Sequence, residues 1–356
     1  MRKLIDSDTK KIYCLVRKGH SISAEDRLKL MLMYYFDNDF SDLFGSRLIA
    51  CDGDITEEGL ADKLAGLDFD TVINCAVCVK HFSNSDILER VNVHGVENLI
   101  DICLKLDKKL VQVSTASVAG TSKNGSISEN VVLRENMLDF GQSLENRYVN
   151  TKWQAERAFL TAVRDKGLRG KIVRVGNLMS RNEDGEFQAN FRTNGFMNRL
   201  RAFAAVGCFP VSLMDSLAEF SAIDSTAQAI IQLAGTPDKF TIFHANSCHP
   251  AHLANVIAIL QRKNISIDIV SAKKFDEELA VALADEKRNM LVSALISYNT
   301  HDASQRIIDS DNSFTVKALY RLGFSWPLIS ESYIEKAMDA LITLGFFDST
   351  VNLHNQ

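Results

Sequence analysis

Short β-rich runs recur through the first half of the chain, each followed by a longer helix-patterned segment, and that alternation constrains the fold more than any other feature. The runs cover residues 12–16, 48–51, 71–77, 110–113 and 171–175. Between them, residues 24–36 put Leu28, Met31, Leu32 and Tyr35 on one helical face. Residues 83–106 predict one long helix carrying Leu88, Val91, Asn92, Gly95, Leu99 and Ile100, and a further helix starts at Arg147 and runs to about Arg164. Strands of four to seven residues alternating with helices describe an α/β chain with a parallel, Rossmann-like, doubly wound sheet and right-handed crossovers. In such a sheet, ligands lie beyond the carboxyl ends of the strands.

One strand end and one helix start stand out at that level. The run ending at Val113 continues into Ser114-Thr115, and the helix after it opens with Tyr148-Val149-Asn150-Thr151-Lys152. Tyr and Lys at i and i+4 share a helix face, so phenol and ammonium can serve one small site. A nearby cation favours the phenolate and lowers a Tyr pKa that starts near 10. Tyr148 is therefore a candidate proton donor to a developing alkoxide, with Thr115 as a second hydrogen-bond donor. Seven tyrosines make an accidental Tyr-x-x-x-Lys credible. Its position after a strand-terminal Ser-Thr is what carries the functional reading.

Composition removes several other classes. A net charge of -5 gives no nucleic-acid signal, and no window approaches eighteen consecutive apolar residues, so no membrane span is expected. The start, Met1-Arg2-Lys3-Leu4-Ile5-Asp6, is too polar for a signal peptide. Seven scattered cysteines predict reduced thiols and a cytoplasmic setting. Cys75-Ala76-Val77-Cys78 lacks a second pair, and Cys248, His249 and His252 lack a fourth ligand, so no metal is expected.

Arg17 follows the first run directly, and a basic residue after the second strand of a dinucleotide fold suits the 2′-phosphate of NADP. Yet the Gly-rich turn that should open such a fold, with backbone N–H groups holding a pyrophosphate, is missing from the sequence. Residues 1–11 read as the tail of a helix leading into Ile12. The run at 12–16 would then be the second strand, and the absent first one would separate it from the run at 71–77. The expectation is a chain whose upstream strand and loop are lost; the competing possibility is that something else fills the gap.

Beyond Gly176-Asn177, a polar loop over 181–194 enters a helix to about Ala205, residues 224–234 are helical and 241–245 form a strand. After Pro250 the pattern is almost wholly helical, apart from a β-like run at 265–270 and the break Gly323-Phe324-Ser325-Trp326-Pro327 before a last helix at 330–344. The expected partition is a nucleotide domain, 1–178 with about 216–250, and a smaller, mostly helical substrate domain, about 179–215 with 251–356.

With these residues in view, the chain resembles the extended short-chain dehydrogenase/reductases, and among them the terminal thioester reductase domains of non-ribosomal peptide synthetases. The resemblance rests on Ile12 to Arg17, Gly53-Asp54-Ile55, Ile73-Asn74-Cys75-Ala76, Val79-Lys80-His81-Phe82, Val91-Asn92-Val93, Val113-Ser114-Thr115 and Tyr148 to Lys152. It continues through Arg174-Val175-Gly176-Asn177-Leu178, Asp184-Gly185-Glu186-Phe187-Gln188, Asn194 to Asn198, Leu322 to Pro327 and Leu344-Gly345-Phe346-Phe347. It implies NADPH as hydride donor and an acyl or peptidyl thioester on the phosphopantetheine arm of a carrier protein, reduced to an aldehyde and in some relatives to the alcohol. Thr115 and Tyr148 would stabilise the oxyanion, and Lys152 would hold the nicotinamide ribose. Asp54 and Ile55 would flank the adenine, Ala76 would line the cofactor path, and Val175, Gly176 and Asn177 would lie near the nicotinamide. The resemblance departs at the Gly-rich loop and at Val77, where relatives usually have Ala. A sugar-nucleotide epimerase or dehydratase sharing the Thr-Tyr-Lys set, another extended reductase, or an inactive remnant are the alternatives at this stage.

Overall fold

The alternating runs form parallel strands, and they do so in two separate sheets. The computed structural model describes residues 1–7, 11–17, 19, 21–79, 86–123, 127, 131–297 and 305–348. β1 (Ile12–Val16) pairs in parallel with β2 (Leu48–Asp52). β3 (Thr71–Asn74), β4 (Lys109–Thr115), β5 (Gly170–Val175) and β6 (Ile242–Ala245) lie side by side in that order, all parallel. Among the described residues no ladder joins β1 to β3. In the strand order 3-2-1-4-5-6, the break falls where the first strand would lie. Both flanking strands are mostly half-buried, whereas β5 is buried along its whole length.

The crossover helices cover these strands with apolar faces. α1 (Ala24–Phe36) is capped by Ser23, whose hydroxyl accepts from Asp26 N at 3.0 Å, and it lays Leu28 and Leu32 on Ile12 and Leu48. α2 (Gly95–Lys105) and α3 (Arg147–Lys166) put Leu99, Ile100, Phe159 and Ala162 against Leu110 and Ile172. Leu15 of β1 and Val72 of β3 pack against this same cluster, so the two sheets share one apolar floor. A fully buried Phe such as Phe159 contributes about 1.5–3 kcal/mol. Gly170 makes the approach possible: a Cβ there would stand 2.3 Å from the Leu110 carbonyl oxygen and 2.6 Å from Phe159.

Two sequence expectations are corrected here. The run at 71–77 leaves the sheet after Asn74, whose Oδ1 accepts from Ala76 N at 3.0 Å while its Nδ2 donates to Gln112 at 2.8 Å. The helix expected over 83–106 runs without a break from Ile87 to Lys105, but Arg90–His94 within it is a π turn, and α2 is its last part. Residues 83–85 lie outside the described residues.

The chain forms two units. The first holds the described residues of Met1–Val175, Ala227–Ala245 and 306–323. The second holds the described residues of 176–226, 246–305 and 324–348. Residues 306–323 join the first because Thr315 Oγ1 accepts from His244 N at 2.8 Å and Phe314 stacks on Phe243. Residues 216–226 and 246–250 fall in the second, where Glu219 accepts from the backbone of Asn177 and of Ser247.

The second unit is mainly helical. Its core joins Phe203 and Phe209 to Val256, Leu260, Met338 and Leu341. Its last helix, Glu331–Thr343, is capped by Ser330. The Asp184-Gly185-Glu186-Phe187 stretch is a lock onto that helix. Gly185 sits at φ +82°, where a Cβ would meet the Lys336 backbone at 2.7 Å, and Lys336 Nζ donates to Glu183 O at 3.1 Å. No helix among the described residues is long and apolar enough to cross a membrane.

Candidate active site

Thr115 is the last residue of β4, because its parallel ladder with β5 ends at the Thr115–Val175 pair. The chain turns there into Ala116–Ala119, with Thr115 Oγ1 accepting from Ser117 N at 3.1 Å. α3 starts at Asn146, whose side chain caps Val149 N at 3.2 Å, so Tyr148 lies in the first turn and Lys152 in the second. Three sequence-predicted residues meet here. The Thr115 and Tyr148 hydroxyls are hydrogen-bonded to each other, and Lys152 Nζ donates to the Val113 carbonyl at 2.9 Å.

The electrostatics correct one sequence argument. Lys152 was expected to draw the Tyr148 pKa down; instead burial pushes it up to about 12, against a smaller lowering by Thr115. The reason is that desolvation disfavours the phenolate. Tyr148 is thus held protonated at neutral pH, as a proton donor must be. Burial takes Lys152 the other way, down to about 8, with Glu156 and then Cys75 acting to raise it.

Arg17 and Asp54 meet at the ends of the other pair of strands. Arg17 is exposed, and its Nη1 stands 3.7 Å from Asp54 Oδ2. Asp54 Oδ1 also accepts from Thr56 N and Thr56 Oγ1, both at 2.9 Å. The Ile55 side chain is buried close against Gly95, where a Cβ would stand 2.6 Å from it. Ala76 is exposed just past β3. Lys80, His81 and Phe82 lie outside the described residues. Val175 is buried at the end of β5.

Gly176 and Asn177 belong to the second unit, where Glu219 organises them. Its Oε2 accepts from Asn177 N at 2.5 Å, and a Cβ on Gly176 would stand 2.2 Å from that oxygen. Burial raises the Glu219 pKa, against hydrogen bonds from Ser221, Asn177 and Ser247.

Sequence reasoning passed over several residues. Asn92, in the π turn, accepts from Cys78 N at 2.8 Å and donates to Cys78 O at 3.0 Å and to Thr151 Oγ1 at 3.1 Å. It thereby ties the loop after β3 to the helix that carries Lys152, and π turns recur at functional sites. Its signal was a polar residue among apolar positions of one predicted face. Glu156, Arg174 and His244 had no local signal, since they bind one another across 18 to 70 residues of chain, and Glu219 reaches Asn177 across 42. Among the described residues no group of three His, Cys, Asp or Glu could hold a metal ion.

A parallel α/β sheet with Thr at a strand end and Tyr-x-x-x-Lys on the next helix defines a short-chain dehydrogenase/reductase-type site. Residues 1–230 match the model of the male sterility protein family. Among solved structures, a thiolation-reductase di-domain from an archaeal non-ribosomal peptide synthetase is 35% identical, with a TM-score of 0.88 over 97% of this chain and 72% of that one. The terminal R domain of the myxalamid PKS-NRPS pathway is 22% identical (TM-score 0.81, 97% of this chain and 87% of that one) and shares the fold. So does the reductase domain of the aureusimine cluster, at 24% (TM-score 0.78, 96% and 86%). No curated protein sequence matches. The chain belongs to the male sterility protein family of the extended short-chain dehydrogenase/reductases, alongside the reductase domains of non-ribosomal peptide synthetases.

Proposed function

We propose that this chain reduces an acyl or peptidyl thioester to an aldehyde, with NADPH as the reductant and a phosphopantetheine-bearing carrier protein as the donor of the thioester. The observation that carries the reading is the hydrogen-bonded Thr115–Tyr148 pair at the end of β4, with Tyr148 held protonated and Lys152 beside it. The archaeal relative, described as a thiolation-reductase di-domain, supports a carrier-bound substrate.

The residues present suit a dinucleotide at two places. Arg17 offers an exposed guanidinium, which suits a 2′-phosphate, and Asp54 stands 3.7 Å from it as a competing anion. Tyr148 and Lys152 offer donors for a nicotinamide ribose. Asp54, Ile55, Ala76, Val175, Gly176 and Asn177 complete the set we assign to the cofactor. The sequence contains no G-x-G-x-x-G for the pyrophosphate. When bound, NADPH supplies the hydride.

The chain's own part is to handle the carbonyl oxygen. Thr115 and Tyr148 hold it by hydrogen bonds that strengthen as negative charge grows there. Tyr148 releases its proton to that oxygen, and the nearby Lys152 ammonium stabilises the phenolate left behind. Collapse of the tetrahedral centre expels the thiol and leaves the aldehyde. We assign residues 1–178 with about 216–250 to the nucleotide and about 179–215 with 251–356 to the substrate and carrier. All seven cysteines are free, and we assign the protein to the reducing cytoplasm.

The test is loss of NADPH absorbance on adding an acyl N-acetylcysteamine thioester, with the aldehyde trapped and identified. Thioester-dependent oxidation is expected, and Tyr148→Phe should slow it by about 10²–10⁴-fold. No thioester-dependent oxidation, or an unaffected Tyr148→Phe variant, would refute the reading.

A further inference from the structure

The chemistry above leaves a completely buried carboxylate without a role. Glu156 lies one helical turn beyond Lys152 on α3, so the two share a face. Its Oε1 accepts from the Ser114 hydroxyl at 2.6 Å. Arg174, on β5, donates to it from Nε at 3.0 Å and from Nη2 at 2.7 Å. Arg174 also donates from Nη2 to Met137 O at 2.8 Å, and its Nη1 stands 3.0 Å from His244 Nε2.

The His244 tautomer follows from its other neighbour. Nδ1 lies 2.7 Å from the Asp311 carbonyl, which can only accept, so Nδ1 carries the proton and Nε2 accepts from Arg174. Burial and the Arg174 charge push the His244 pKa down to about 4. The cluster therefore carries one positive and one negative charge, each hydrogen-bonded, with a neutral imidazole beneath them.

Its attachment points bear on the site. Val113 and Ser114 are consecutive on β4, and Thr115 follows. The Val113 carbonyl takes Lys152 Nζ, and the Ser114 hydroxyl binds Glu156. Two bonds one helical turn apart thus fasten the strand carrying Thr115 to the helix carrying Tyr148 and Lys152. Stability alone does not call for ions here, since buried pairs are often replaceable by apolar residues at no loss.

We infer that Glu156 is a positioning residue of the reduction site, a carboxylate that sets α3 on β4 and stands one helical turn from the Lys152 ammonium as its counter-charge. The inference rests on the reading above for its catalytic meaning. The groups around Lys152 are Tyr148 and Glu156 on its own helix and Cys75 from the segment after β3. Arg174 from β5 and His244 from β6 stand behind Glu156. Glu156 comes first among those that raise the Lys152 pKa.

The experiment is a pH titration of the Lys152 side chain by NMR of the whole chain labelled at its lysines, the signal assigned by its loss in Lys152→Arg, for wild type, Glu156→Gln and Ser114→Ala. The wild-type midpoint should fall at about 8. Glu156→Gln removes the carboxylate and exposes Lys152 to Arg174, so its midpoint should drop by about one pH unit or more. Ser114→Ala keeps the charge and should leave the midpoint in place, while amide exchange at Thr115 and in the first turns of α3 speeds up about tenfold. An unmoved midpoint in folded Glu156→Gln overturns the inference, as does an equal shift in Ser114→Ala. Should Glu156→Gln not fold, unchanged exchange in Ser114→Ala overturns it. Neither readout uses cofactor or thioester, so a failed reduction assay is distinguishable from a failed positioning role.

Discussion

Reduction by this site should lose its rate in alkaline solution, and Lys152 sets where. Burial lowers its pKa to about 8 from the ordinary lysine value of 10.5, so the folded chain holds the proton less tightly than a free lysine does. At pH 7 about nine-tenths of the molecules carry the charge, and at pH 9 about one-tenth do, a roughly tenfold fall over two units. Tyr148, at about 12, stays protonated throughout that range and contributes no inflection. The assay is kcat/KM for NADPH-dependent thioester reduction between pH 6.5 and 9.5, which reports the ionisation of the free enzyme. The expected profile is flat below neutrality and bends down near pH 8. Lys152→Arg keeps its charge over the whole range, so whatever rate it retains should show no such bend. A flat wild-type profile, or a Lys152→Arg variant with the same inflection, would refute the assignment.

Two further outcomes follow from contacts already described. Arg17→Ala should raise the KM for NADPH by about tenfold or more while changing that for NADH little, since a charge-assisted phosphate contact is worth roughly 1.5–3 kcal/mol; parallel steady-state titrations decide it. Arg174→Met strands Glu156 in the core and should lower the urea-unfolding free energy by about 3–5 kcal/mol. Most of that loss should return in Arg174→Met/Glu156→Leu, and a loss below about 1 kcal/mol would show that the pair is not buried as described.

The sequence alone carried the local part of this structure. The Leu28, Met31, Leu32 and Tyr35 spacing placed α1 at its observed bounds, because helical periodicity is written in nearby residues. The runs at 12–16 and 171–175 became β1 and most of β5, and the missing Gly-rich turn anticipated the break between β1 and β3. Thr115, Tyr148 and Lys152 were legible because they sit at a strand end and at helical spacing. What tertiary structure decided depends on partners far along the chain and on burial. Only Gln112 and the turn at Ala76 reveal why β3 stops at Asn74, and only Cys78 and Thr151 show what Asn92 does in its π turn. Desolvation, which no motif states, raised the Tyr148 pKa where charge proximity predicted a fall. Residues 306–323 joined the first unit through His244 and Thr315, some 71 positions apart. Nothing local in the sequence links Glu156, Arg174 and His244. They become one cluster only when α3, β5 and β6 pack together and water is excluded from the charges between them.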